Sequence, residues 1–179
     1  MTVTKPNIVR KMGLVPETNF GGQRGITPTQ ITDHHIVGTS ASAIAEAQKT
    51  SRQMSFTFTV DTDGTIYQML ELNQWPYTDG NSASNRRSIT IEHAGGLPSV
   101  PYTEEMYKST IHLHAWLRQE FGIPEENIMR HSQVSDKPTA CPGGLDTERI
   151  KRESTKLLKG GSAMALCDKT ILTKLWVGY

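Results

Sequence analysis

Only two cysteines, Cys141 and Cys167, occur in 179 residues. That is too few for a disulfide scaffold, so each needs its own explanation. An excess of one charge sign is missing as well. The chain has 19 Lys+Arg against 18 Asp+Glu, a formal charge of +1, which argues against a strongly basic nucleic-acid binder and against a highly charged disordered chain. No apolar run approaches the roughly 20 residues of a membrane span. The N-terminus, MTVTKPNIVRKMG, carries no continuous apolar stretch of the signal-peptide kind. No repeat or low-complexity tract points to a solenoid or a fibre. Hydrophobic residues make up 36%, a lean share, but the fraction of surface buried on folding rises with chain length, and this length still supports one core. The expectation is one soluble globular domain with appendages, without nucleic-acid binding or membrane insertion; composition says nothing about its oligomeric state.

Residues 1–28 hold Pro6, Pro16, Gly21, Gly22, Gly25 and Pro28 with little periodicity and read as an extended lead-in. A strand is expected from Gln30 to Val37, stopping at Gly38, then a short helix from Ser40 to Gln53 with a serine N-cap. SFTFTV, DTDGT and IYQML form a hairpin around Asp63-Gly64. Asn73 to Arg86 reads as a long loop leading to the strand Ser88–Glu92. Thr103 caps an amphipathic helix with Met106, Ile111, Leu113, Leu117 and Phe121 at helical spacing, ending at Gly122. A strand near Asn127–Arg130, the loop HSQVSDKPTACPGG and a charged helix from about Asp146 to Lys159 follow. Gly160-Gly161-Ser162 reads as a break, followed by a tail with Leu166, Ile171, Leu172, Leu175 and Trp176. The fold class is α/β (α+β), with a mainly mixed central sheet flanked by helices. The division is 1–28 lead-in, 29–159 main domain and 160–179 linker with a short apolar segment.

Chemistry concentrates at His34 and His35 on one strand end, Glu92 on another, and His131 with Cys141 in one loop. Imidazole and thiolate suit Zn²⁺, and three protein ligands with a free fourth position mark a catalytic rather than a structural zinc site. The His-x9-Cys spacing alone leaves open whether a metal binds.

HHIVG after a strand, DTDGTIYQ in the hairpin, SITIEHAG and RHSQVSDKPTACPGG stand together in the order seen in the type 2 N-acetylmuramoyl-L-alanine amidases. That family includes phage lytic amidases and peptidoglycan recognition proteins, and the resemblance runs from Gln30 to Lys159. It implies one Zn²⁺ per chain, with the ligands falling on His34, His131 and Cys141, and the zinc site at the strand ends. His34 is preferred to His35 by its distance from Gly38, and strand alternation turns His35 to the other face. The resemblance also implies Glu92 as general acid and base and a Thr139 hydroxyl that donates to an oxyanion. The alternative reading of Thr139 is a loop hydroxyl bonded to backbone. At the position of the family's usual catalytic tyrosine stands Phe56, beside Ser55 and Thr57, which shifts weight to Glu92.

The implied partner is bacterial peptidoglycan and the implied activity bacteriolytic cell-wall degradation, as in a phage endolysin that waits in the host cytoplasm until release. The alternative is a recognition module of the same fold that binds peptidoglycan without cutting it. A zinc deaminase would need Pro-Cys-x-x-Cys, which Cys141-Pro142 does not provide. His93, His112 and His114 read as structural residues. Trp75, Tyr77 and Asn81 offer either a groove or packing, and Cys167 reads as a free thiol.

Overall fold

The computed structural model describes residues 2–174, with the backbone alone for 161–174. The eight strands are β1 (Val9–Arg10), β2 (Phe20–Gln23), β3 (Gln30–His35), β4 (Phe58–Val60), β5 (Ile66–Gln68), β6 (Gln74–Pro76), β7 (Ser88–His93) and β8 (Ile128–Arg130). Among the described residues the five α-helices are α1 (Ser40–Ala47), α2 (Ser82–Arg87), α3 (Glu104–Phe121), α4 (His131–Val134) and α5 (Thr147–Lys174). Six strands form one sheet in the order β1-β5-β4-β7-β3-β8, while β2 and β6 pair separately. The sheet is mixed, since β4 and β5 run antiparallel and the other pairs are parallel.

Local chemistry explains most of these elements. Thr103 Oγ1 accepts the Met106 amide at 3.1 Å, Glu104 and Glu105 occupy the first turn of α3, and Gly122 closes it at φ 68°. The β4–β5 turn is held by Asp61 N–H to Thr65 O and Gly64 N–H to Asp61 O, each 2.9 Å. Gly64 is required there twice over: its φ is +86°, and a Cβ would sit 3.0 Å from Glu105 O of α3. The N-cap of α1 is Thr39, whose side chain accepts from Ser42 N–H, rather than Ser40 as expected, and the helix stops at Ala47.

Ile31, Ile89 and Ile91 on one face of the sheet pack with Leu113, Trp116 and Leu117 of α3 and Ile150 of α5. A second cluster joins Val15 of the lead-in to Ala43, Phe56, Met69 and Leu70. The lead-in therefore belongs to the folded body, and its Arg24 guanidinium donates to the carbonyls of Gln74, Arg86 and Ser88. The expected loop from Asn73 contains β6 and α2, the latter capped by Asn81 accepting from Ser84 N–H at 2.8 Å. The α5 backbone continues through Gly160 and Gly161, where a break was expected. The readings of the tail side chains and of Cys167 lie outside the described residues.

Candidate metal and catalytic centre

Strands β3 and β7 run parallel with Gln30 opposite Ser88 and His34 opposite Glu92. Side chains alternate, so Gln30, Thr32 and His34 share one face with Ser88, Thr90 and Glu92. All six are buried although polar, and they must therefore find partners. The loop from Tyr77 through α2 supplies partners to five of them, Glu92 being the exception. Gln30 Nε2 lies 2.7 Å from Ser88 Oγ and 2.9 Å from Ser84 Oγ. Asp79, itself without exposed surface, accepts from Ser84 Oγ at 2.5 Å, Ser88 Oγ at 3.2 Å and Thr32 Oγ1 at 3.3 Å through Oδ2. Its Oδ1 lies 2.8 Å from His34 Nε2.

That contact commits Nε2 of His34 and leaves Nδ1 to face Cys141 Sγ at 3.9 Å. Burial works against a charge on His34. Hydrogen bonds to Asp79 and Cys141, with the charges of Glu92 and Asp79, outweigh it and lift the imidazole to about 10. His131 opens α4 directly after β8, and its ring centroid lies 4.2 Å from that of His34. Burial pushes His131 down to about 4. Cys141 sits in a turn tied to α4 by Ser132 N–H to Cys141 O at 2.9 Å. The donor atoms of His34, His131 and Cys141 all lie within 4.8 Å of one another, the one such group among the described residues.

Nε2 of His131 is buried and has no hydrogen-bond partner among the described residues, a cost of about 1–3 kcal/mol if nothing fills the gap. A cation among two imidazoles and a thiolate would satisfy it, and this donor set suits zinc. A carboxylate behind a ligating histidine is the usual second partner of such a ring. The His35 amide donates to Cys141 Sγ at 3.4 Å. The residues fit a zinc ion.

His35 itself turns to the opposite face. Tyr102 Oη donates to Pro142 O at 3.2 Å and accepts from His35 Nδ1 at 3.1 Å, so His35 supports the cysteine turn from below. Gly143 makes room for it: φ is +60°, and a Cβ would lie 2.7 Å from His35 Cε1.

Glu92 stands beside the donor group and outside it. Burial raises its carboxyl above the usual range, with His34 pulling the other way, and Oε2 is buried without a partner among the described residues. It lines a cavity of about 240 Å³ with His35, Ile36, Ser42, Glu46 and Arg52. A larger cavity of about 700 Å³ between the lead-in and α3 contains none of these donors. Thr139 Oγ1 accepts from the Cys141 amide at 3.2 Å, the backbone contact expected of a loop hydroxyl, and retains its own proton to donate. Phe56 is fully buried in the second core cluster and offers no hydroxyl.

The residues read as structural are engaged elsewhere. His93 Nδ1 donates to His34 O at 2.8 Å, His112 Nε2 to Thr4 O at 2.8 Å, and His114 Nε2 lies 3.0 Å from Asp33 Oδ1. Asp79 is the residue that sequence reasoning missed. It lies 45 positions from His34, in a stretch read as loop, and a Thr-Asp-Gly turn has no spacing that marks it as the partner of a strand histidine.

Residues 24–144 match the family described as N-acetylmuramoyl-L-alanine amidase (Amidase_2). Among solved structures the chain is similar to a mutant endolysin from Bacillus subtilis, at 26% identity over 83% of this chain and 98% of that one, with a TM-score of 0.69. It is also similar to the catalytic domain of XlyA, at 26% identity over 83% and 99%, with a TM-score of 0.68. The N-acetylmuramoyl-L-alanine amidase LysC from Clostridium intestinale URNW shares the fold at 22% identity over 83% and 97%, with a TM-score of 0.64. No curated protein matches the sequence. Because the family match spans well over half of the residues, the chain belongs to the N-acetylmuramoyl-L-alanine amidase family.

Proposed function

We propose that this chain is a zinc-dependent N-acetylmuramoyl-L-alanine amidase that hydrolyses the amide between the lactyl group of N-acetylmuramic acid and the L-alanine opening the stem peptide. The observation that carries the reading is the convergence of His34, His131 and Cys141 within 4.8 Å, beside an unpartnered, buried Glu92 oxygen. Those three residues would hold one Zn²⁺, which supplies Lewis acidity toward the scissile carbonyl and lowers the pKa of a water.

Glu92, with its raised pKa, takes the proton of the attacking water as the new C–O bond forms. It returns that proton to the alanine nitrogen as the C–N bond breaks. The free hydroxyl proton of Thr139 donates to the carbonyl oxygen as charge develops there. Asp79 orients His34 and fixes which of its nitrogens faces the site. The proposed catalytic unit is residues 29–159, completed by the lead-in, whose Val15 and Arg24 belong to the folded body, and followed by the α5 backbone past Gly160. The biological role that follows is endolysin-like lysis of the bacterial wall.

Phe56, in the place of the usual tyrosine, favours a second reading, a module that binds peptidoglycan without cutting it. Digestion of purified peptidoglycan followed by mass spectrometry, with zinc content measured in parallel, separates the two. The amidase releases stem peptides with free alanine amino groups at one zinc per chain. Intact lactyl-alanine bonds from zinc-loaded protein would leave the binding module.

A further inference from the structure

Two residues beyond His35, Val37 adopts φ +55°, in the left-handed region where a β-branched side chain is an outlier. Its neighbours on both sides are pinned. Ile36 N–H donates to His93 O at 3.0 Å, and Gly38 O accepts from Gly95 N–H at 2.9 Å. Strain of this kind persists where the surroundings over-determine it. A glycine at 37 would follow the same path without that cost, so what the position gains from valine is the side chain itself. That side chain adds nothing to the core: Val37 is 45% exposed and belongs to neither core cluster.

Its location is specific. Val37 follows β3 at the strand end that carries His34, and three residues of chain span at most about 10 Å. The adjacent Ile36 lines the cavity that Glu92 also lines. Leu97, 36% exposed, comes from the segment that leaves β7 beyond the Gly38–Gly95 bridge. Two exposed apolar side chains thus stand at the ends of the two strands that bear the polar centre.

We propose that Val37 is a substrate-contacting residue. Its isopropyl group, exposed just beyond the end of β3 and kept there against the conformational preference of its own backbone, would pack on the methyl groups that flank the scissile amide, one on the lactyl carbon and one on the alanine. The inference rests on the amidase reading of the site. Recognition of a methyl group by apolar contact is worth about tenfold in kcat/KM.

The test uses zinc-loaded full chain and an N-acetylmuramoyl-L-alanyl peptide. Val37→Gly relieves the strain and removes the contact, so its melting temperature rises while kcat/KM falls about tenfold, through KM, at unchanged zinc content. Val37→Ala loses kcat/KM without the full gain in melting temperature. A lower melting temperature in Val37→Gly would overturn the strain argument. Wild-type kcat/KM, or loss of zinc, would overturn the contact. If wild type cleaves the bond and Val37→Gly matches it, this inference alone fails. If wild type does not cleave it, the amidase reading falls and takes the inference with it.

Discussion

Asp79 Oδ1 lies 2.8 Å from His34 Nε2, and both side chains are shut off from solvent. The carboxylate is itself held by Ser84, Ser88 and Thr32, so the imidazole has one orientation available and presents Nδ1 to Cys141. Asp79→Asn keeps an acceptor for His34 and lets the hydroxyls reorient, but it removes the charge. Zinc affinity is expected to fall about 10–100-fold, read by competition with a chromophoric chelator. Asp79→Ala strands three hydroxyls and a buried imidazole and should cost about 2–4 kcal/mol of stability in denaturant melts. Unchanged zinc affinity in Asp79→Asn would remove Asp79 from the site.

Cys141 is half-buried, and its sulfur takes part in two contacts, the His35 amide and His34 Nδ1. Cys141→Ser should therefore leave the metal-free fold intact while abolishing zinc retention and hydrolysis. A ligand bound only by the folded state stabilises it by about 4 kcal/mol at a thousandfold excess over Kd. A chelator should accordingly lower the melting temperature of wild type and leave Cys141→Ser unmoved. Equal melting curves for wild type with and without chelator would exclude a tightly held metal.

Elements whose cause is local were readable from the sequence. Thr103 and Gly122 bound α3, and Asp61 to Thr65 make the hairpin turn. The quoted motifs also brought His34, His131 and Cys141 to one place. The character of the strand faces was not readable. Gln30, Thr32, Ser88 and Thr90 alternate with isoleucines, which reads as a strand with one wet face, yet they are buried. The cover is the stretch from β6 through α2, held by Arg24 of the lead-in and by Asp79. Ser-Ala-Ser-Asn has weak helix propensity, and α2 forms because Asn81 caps it and the strand polar groups bond to it. Asp33 and His114 likewise meet across 81 positions with no local signal.

Glu92→Gln separates chemistry from stability. The burial that raises its carboxyl pKa means that the folded protein disfavours the charged form. The group therefore costs metal-free protein stability once pH exceeds the unfolded carboxylate value. Glutamine keeps the shape without the charge. Metal-free Glu92→Gln should melt higher than wild type at pH 7, retain zinc binding, and lose about 10²–10⁴ in kcat. A variant with wild-type kcat would return the proton transfer to some other group.

His93 gives a pH dependence of stability whose sign follows from burial. Burial pushes its imidazole down to about 4, against the pull of Asp33 and with the help of His114, while the unfolded value is near 6.5. Between those values the unfolded chain binds the extra proton. The stability due to neutral His93 is thus complete above about pH 6.5 and is lost as pH falls toward 4, an effect on the order of 3 kcal/mol. Asp33, held below its ordinary value by His114 and His93 against its own burial, withdraws its contribution only at still lower pH. His93→Asn places an amide donor near the His34 carbonyl and does not titrate. The difference in unfolding free energy between wild type and His93→Asn, measured in chelator from pH 7 to pH 4, should change steadily in the variant's favour as pH falls. A difference that stays constant across that range would mean that His93 is not buried neutral.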